Sequence, residues 1–198
     1  EGVDILVNAE RIQFDDTIGD VVDIRLFQVI IQEVGGWVGA EQSTGRLISV
    51  PNSFVFKKEI ANYHAGFDII FAEIPVVVTF ESDWKKAKTI LQEISKKYAM
   101  KVGKNERRQL KEAAAEYQIH IPTFDSITCT SVEDHGVNIT MRFPCAPRKR
   151  RTTETQMWEA ILDAFATEET IDFAYPTQRF YNNRSEGKIG AGGLPQTT

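Results

Sequence analysis

"TGRLISVPNS", residues 44–53, decides how the first third of the chain is read. Thr44-Gly45 favours a turn, because glycine reaches left-handed backbone angles without steric cost. Arg46 follows, and Leu47-Ile48-Ser49-Val50 is then a short run of strand character. It stops abruptly at Pro51, which fixes φ and cannot donate to a ladder. Asn52 and Ser53 carry side chains that hydrogen-bond nearby backbone and cap a following turn. Nothing beside this strand-to-turn junction supplies a nucleophile or a base.

Working outward, the upstream residues have the same character. Arg11-Ile12-Gln13-Phe14 leads into the polar turn Asp15-Asp16-Thr17, and Ile18-Gly19-Asp20-Val21-Val22-Asp23-Ile24 follows. A β-branched run from Phe27 to Val34 is halted by Gly35-Gly36, and a short piece, Trp37 to Ala40, precedes the junction. Short strands punctuated by Gly and Asp predict a small sandwich or barrel over residues 10–63.

Downstream the pattern changes. Ile69 to Phe80 is apolar enough for a long strand, with Pro75 marking a bulge or an edge. Glu81-Ser82-Asp83 supplies a helix N-cap, and Trp84, Ala87, Leu91, Ile94 and Tyr98 recur at helical spacing opposite a lysine-rich face. Residues 101–119 are polar, with helical propensity from Gln109 to Gln118. Ile127–Val132, the turn Glu133-Asp134-His135-Gly136 and Val137–Phe143 form a hairpin whose second strand alternates apolar and polar residues. Thr153 with Gln156 fits a capping box, followed by Met157, Trp158, Ile161, Leu162 and Phe165 on a second amphipathic helix. A last strand, Thr170–Ala174, ends at Tyr175-Pro176-Thr177. From residue 69 the order is βαββαβ with an inserted helix, the ferredoxin-like arrangement. After Asn183 the chain turns Gly-, Ser-, Pro- and Thr-rich, as a loose tail does.

Composition narrows the functional classes. The 198 residues carry a net charge of −5, which argues against nucleic acid as the default partner. No run approaches the roughly 18 consecutive apolar residues of a membrane span. Cys129 and Cys145 lack CxxC spacing and read as reduced core or near-core thiols. His64, His120 and His135 lie far apart with no metal-ligand spacing, no GxxxxGK[ST] occurs, and Gly190–Gly193 follows no strand. No catalytic, metal or cofactor constellation is therefore expected. Arg148-Lys149-Arg150-Arg151 is the concentrated basic run: a solvated loop, or a contact for anionic lipid, RNA or an acidic neighbouring subunit.

Taken in order, "ERIQF…IGDVVDI…TGRLISVPNSFVFKKEIANY" (10–63) resembles the β domain of small-conductance mechanosensitive channels, the MscS family. "IDFAYPTQRFY" (171–181) is similar to the family's closing strand. The positions carrying the resemblance are Gly19, Asp20, Gly45, Arg46, Pro51, Asn52, Ser53, Asn62, Pro176 and Thr177; Ala9-Glu10 departs from the family's Gly-Asp.

The resemblance implies an α+β chain: a small β-sandwich or Sm-like β domain (10–63), then a ferredoxin-like α/β vestibule domain (64–180) with an inserted helix near 101–119. Residues 1–9 would join a pore helix that lies N-terminal to Glu1, and 181–198 would be a flexible tail. It further implies a non-enzymatic, cofactor-free module of a tension-gated ion channel in the inner (plasma) membrane, facing the cytoplasm. Such a module assembles as a homoheptameric ring below the pore and filters ions and small solutes during osmotic stress. The competing reading is a soluble small-molecule-sensing regulatory domain.

Overall fold

The alternation of residues 11–34 and 43–51 sorts them onto the two faces of one antiparallel sheet. The computed structural model describes residues 10–39, 41–64, 69–104, 107–108, 110–112 and 123–176. Strands β1 (Arg11–Phe14), β2 (Thr17–Ile24), β3 (Gln28–Val34), β4 (Ser43–Pro51) and β5 (Ala61–Asn62) stand in the order β4-β3-β2-β1-β5. Ile12, Phe14, Val21, Val29 and Ile31 point to one side and are buried together, with Ile48, Val50, Phe54 and Ile60 packed on them. The Phe54 ring meets Phe14 edge-on at 5.3 Å. Its residue lies in a 3-10 turn, Asn52–Phe56, that follows Pro51 directly. The expected strand stop is thus in place.

The second half carries the βαββαβ order. Strand β6 (Ile70–Val78) pairs along its whole length with β8 (Gly136–Cys145), and β8 pairs with β7 (Ile127–Glu133). Helix α1 (Trp84–Tyr98) and a second helix, α2 (Arg150–Ala166), cover one face. Phe173 bridges Val78 antiparallel, so the lateral order is last segment, β6, β8, β7. That is the ferredoxin-like order. The predicted strand 170–174 is reduced to this bridge, with the Ala174 N–H donating to the Val77 carbonyl at 2.9 Å. Pro75 faces Thr140 with no shift in register, so it marks no bulge.

The core lies between this sheet and its helices. Ile74, Val76 and Val78 from β6, Ile139, Met141 and Phe143 from β8, Leu91 from α1 and Met157 and Ile161 from α2 are all essentially inaccessible. Helix α1 begins as predicted: the Asp83 carboxylate accepts from the Lys85 and Lys86 N–H groups, each at 3.1 Å. Lys96 and Lys97 in its last turn oppose the negative end of the helix dipole.

Several expectations are corrected. The capping box at Thr153 and Gln156 is not used, because α2 starts three residues earlier, at Arg150, and Lys149 makes no side-chain cap. A 3-10 turn, Pro147–Lys149, already leads into the helix, and proline's fixed φ suits such a start. Trp158 and Leu162 lie on a second, largely exposed stripe of α2, and Trp84 is 37% exposed. The helix read from Gln109 to Gln118 starts earlier, with residues 104, 107–108 and 110–112 helical; 113–118 fall outside the described residues. Leu110 joins Val102 and Phe124 in a small buried cluster against Ile69 and Phe71. Asp125 anchors Arg107 there through hydrogen bonds of 3.0 and 2.5 Å. The tail, 181–198, also lies outside the described residues, which end at 176. Among the described residues, no helix is long and apolar enough to cross a membrane.

Candidate functional site

The residues singled out by the motif gather at three points of the first sheet rather than at one pocket. At the first, the Asn52 side chain reaches back across the sheet. Its Nδ2 donates to the carbonyls of Arg25 and Leu26 at 3.0 and 2.9 Å, and its backbone N–H donates to the Phe27 carbonyl at 2.9 Å. Three carbonyls of the β2–β3 turn are therefore held by one residue. The expectation that Asn52 and Ser53 cap the following turn is corrected: the 3-10 turn has no side-chain cap. An amide side chain offers two donors and so can bridge two neighbouring carbonyls. With Pro51 ending the ladder opposite Gln28, it ties that turn to the exit of β4. The tip it fastens is apolar and exposed at Leu26 and Phe27, as is Phe56.

The second point is the bulge where β4 enters the sheet. The register jumps between Gln32 and Val34, and Gly45 takes a φ of 79°, the left-handed region that glycine occupies easily. The irregularity turns Arg46 onto Glu33, whose residue is only 6% exposed. Arg46 Nε donates to Glu33 Oε2 at 2.8 Å, its Nη2 reaches Oε1, and Thr44 Oγ1 donates to Oε2 at 2.7 Å. The guanidinium also lies over the Trp37 ring, 4.3 Å from its centre. The Arg46 hydrogen bond, supported by Thr44, holds the Glu33 carboxyl below its ordinary value.

A carboxyl depressed in the folded state contributes stability above its unfolded pKa of about 4.3, and that contribution is lost as pH falls through the folded value. Urea midpoints of the native chain should therefore drop between about pH 5 and pH 3. The drop should be smaller in Arg46→Ala, which has already lost the pair at neutral pH. An equal acid drop in both proteins would show that the Arg46–Glu33 pair contributes nothing to it.

The third point joins the two sheets. Asp20 in β2 takes the guanidinium of Arg11, with Nε at 2.9 Å and Nη2 at 3.2 Å, and Arg148 Nη2 lies 3.6 Å from the same carboxylate. Arg150, opening α2, donates from Nε to Glu41 Oε2 at 3.1 Å and reaches Oε1 with Nη2. Arg148 and Arg150 of the basic run thus meet carboxylates of their own chain. Gly19, next to Asp20, lies where an added Cβ would come within 2.7 Å of Ile31. Asn62 donates to Glu10 at 2.7 Å and accepts from the His64 N–H at 2.8 Å, closing β5 onto β1. Pro176 is exposed and Thr177 lies outside the described residues. Sequence reasoning missed Glu33 and Glu41, since a lone glutamate beside Gly-rich turns carries no signal until its arginine is placed.

Among the described residues, no group of three His, Cys, Asp or Glu side chains could hold a metal ion. Burial pushes the Cys145 thiol up to about 11, as fits a core thiol, but the core or near-core reading of Cys129 is corrected: it pairs with Thr140 on the outer face of the sheet and is exposed. His64 accepts from the Arg11 N–H at 3.2 Å, and His135 sits in the β7–β8 turn. These geometries support and connect strands; none pairs a nucleophile with a base.

No protein-family model matches the chain, and no curated protein matches it in sequence. Solved structures do. The closed-state crystal structure of MscS from Helicobacter pylori superposes with a TM-score of 0.62 at 15% identity, over 91% of this chain and 60% of that one. The fold is the MscS fold. A cryo-EM structure of MSL1 from Arabidopsis thaliana gives 0.51 at 12% identity, over 86% of this chain and 53% of that one. The chain therefore spans less than two thirds of either protein. At these identities the likeness to MscS is one of architecture: an Sm-like sheet of order β4-β3-β2-β1-β5 followed by a ferredoxin-like unit. The neighbours are mechanosensitive channels rather than enzymes.

Proposed function

We propose that this chain is the cytoplasmic part of a tension-gated mechanosensitive channel, with residues 10–63 forming a β domain and 64–180 a vestibule wall. One observation carries the reading: 91% of the chain follows the MscS architecture through both halves in order. The three motif points support it, since each fastens a strand end or joins the sheets and none is built to bind or turn over a small molecule. In this reading the segment before β1 leads to the pore in the inner (plasma) membrane. Seven copies close into a ring through heterologous contacts, and ions and small solutes pass through it during osmotic stress.

The test is the mass of the full-length protein in detergent, by light scattering on a sizing column, alongside this chain alone. A ring of seven gives about 157 kDa of this 22.4 kDa portion. A full-length protein that stays at one or two copies overturns the proposal. A two-fold dimer that also binds a metabolite would favour a soluble sensor.

A further inference from the structure

We propose that Arg148 and Arg150 form an ionic latch between the two sheets, which sets their relative orientation and loosens as ionic strength rises. Among the described residues, no buried apolar cluster draws residues from both sheets. One is confined to residues 12–60, one to 70–173, and the third to Val102, Leu110 and Phe124 with Ile69 and Phe71. Charged contacts do cross. Arg148 reaches Asp20, and Arg150 grips Glu41 with two nitrogens while Glu154 Oε1 lies 3.9 Å from its Nε.

The two acidic partners are set in advance. Asp20 is already held by Arg11 within the first sheet. Glu41 sits at φ 52°, a region that non-glycine residues rarely adopt. The basic side chains cluster at the N-terminus of α2, where the helix dipole disfavours cations. Their position therefore depends on the carboxylates opposite. The side chains of Arg148 and Arg150 are 46% and 39% exposed and those of Asp20 and Glu41 21% and 28%, so counterions reach all four. Exposed pairs are screened in this way, while the apolar cores on either side are not. Salt should then free the sheets from each other before it unfolds either. The latch is a property of this chain and does not depend on the channel reading.

The test uses resonance energy transfer between Cys129 on β7, which is exposed, and a cysteine introduced by Lys57→Cys beyond the 3-10 turn of the first sheet. Cys145 is buried and stays unlabelled in the folded chain. Labelled chains are diluted into excess unlabelled protein so that transfer within one chain is read. From about 10 mM to about 1 M KCl the Debye length falls from about 30 Å to about 3 Å. The transfer distribution should broaden and shift over that range, and sucrose at equal osmolality should leave it unchanged. The Glu41→Gln/Arg148→Gln double variant should show the high-salt distribution already at low salt. The exchanged pair Glu41→Arg with Arg150→Glu should return toward wild type. Circular dichroism at each salt reports whether the sheets stay folded. A wild-type distribution that ignores salt, or a double variant that still responds as wild type does, overturns the latch.

Discussion

Phe143→Ala should lower the stability of the chain by about 3–5 kcal/mol, the usual cost of emptying a phenylalanine site in a packed core. Phe143 is fully buried in β8, the middle strand of the three, directly opposite Ala72 of β6. Because alanine is the residue directly opposite, no large side chain faces the vacated site across the strand pair. Thr140→Ala, three residues away on the opposite and partly exposed face, should change stability by less than about 0.5 kcal/mol. Urea unfolding followed by far-UV circular dichroism checks both. A Phe143 variant within about 1 kcal/mol of wild type would mean that this core relaxes far more freely than packed interiors do.

The contrast between those positions is also where the sequence was most legible. Val137, Ile139, Met141 and Phe143 alternate with polar residues, and the strict two-residue period of a strand sends every second side chain to the core. Ala87, Leu91 and Ile94 were equally plain at helical spacing. The strand stop at Pro51 followed from proline alone. What could not be read was anything requiring a partner distant along the chain. Nothing in "PNS" says that Asn52 reaches carbonyls 26 and 27 residues earlier. The basic run likewise showed its charges but not the carboxylates they meet. At the start of helix α2 Thr153 offers a plausible cap, yet tertiary contacts of Arg150 and the preceding turn at Pro147 begin the helix before it.

Gly19→Val is the second large effect, and it acts by crowding rather than by emptying. A Cβ at this position would stand 2.7 Å from Ile31 Cδ1 and 2.8 Å from the Gln32 carbonyl oxygen. The oxygen belongs to the backbone of β3 and cannot step aside as a side-chain tip can. Accommodation must therefore part β2 from β3 beside the buried Ile31, at a cost of about 1–3 kcal/mol or somewhat more. Gly45→Ala gives the comparison. Nothing lies within 4 Å of a Cβ there, so its cost comes from the φ of 79° alone, about 1 kcal/mol. Paired urea titrations should rank Gly19→Val clearly below Gly45→Ala. The reverse order would show that the close approach of β2 and β3 is not a real constraint.

The abbreviated last strand leaves a consequence for how this protein survives its own synthesis. Val77 and Thr79 turn their peptide groups toward the closing segment. Hydrogen-bonding direction alternates along a strand, so residue 75 faces the same margin. That margin, from Ile70 toward Val76, has no strand against it among the described residues. "IFAEIPVVV" is just the kind of apolar, β-branched segment that templates intermolecular stacking when a newly made chain meets its siblings. Pro75 presents no N–H there, and Glu73 places a charge two residues before it. Pro75, which interrupts the apolar run, thus stands where a gatekeeper residue works against one chain zipping onto the next.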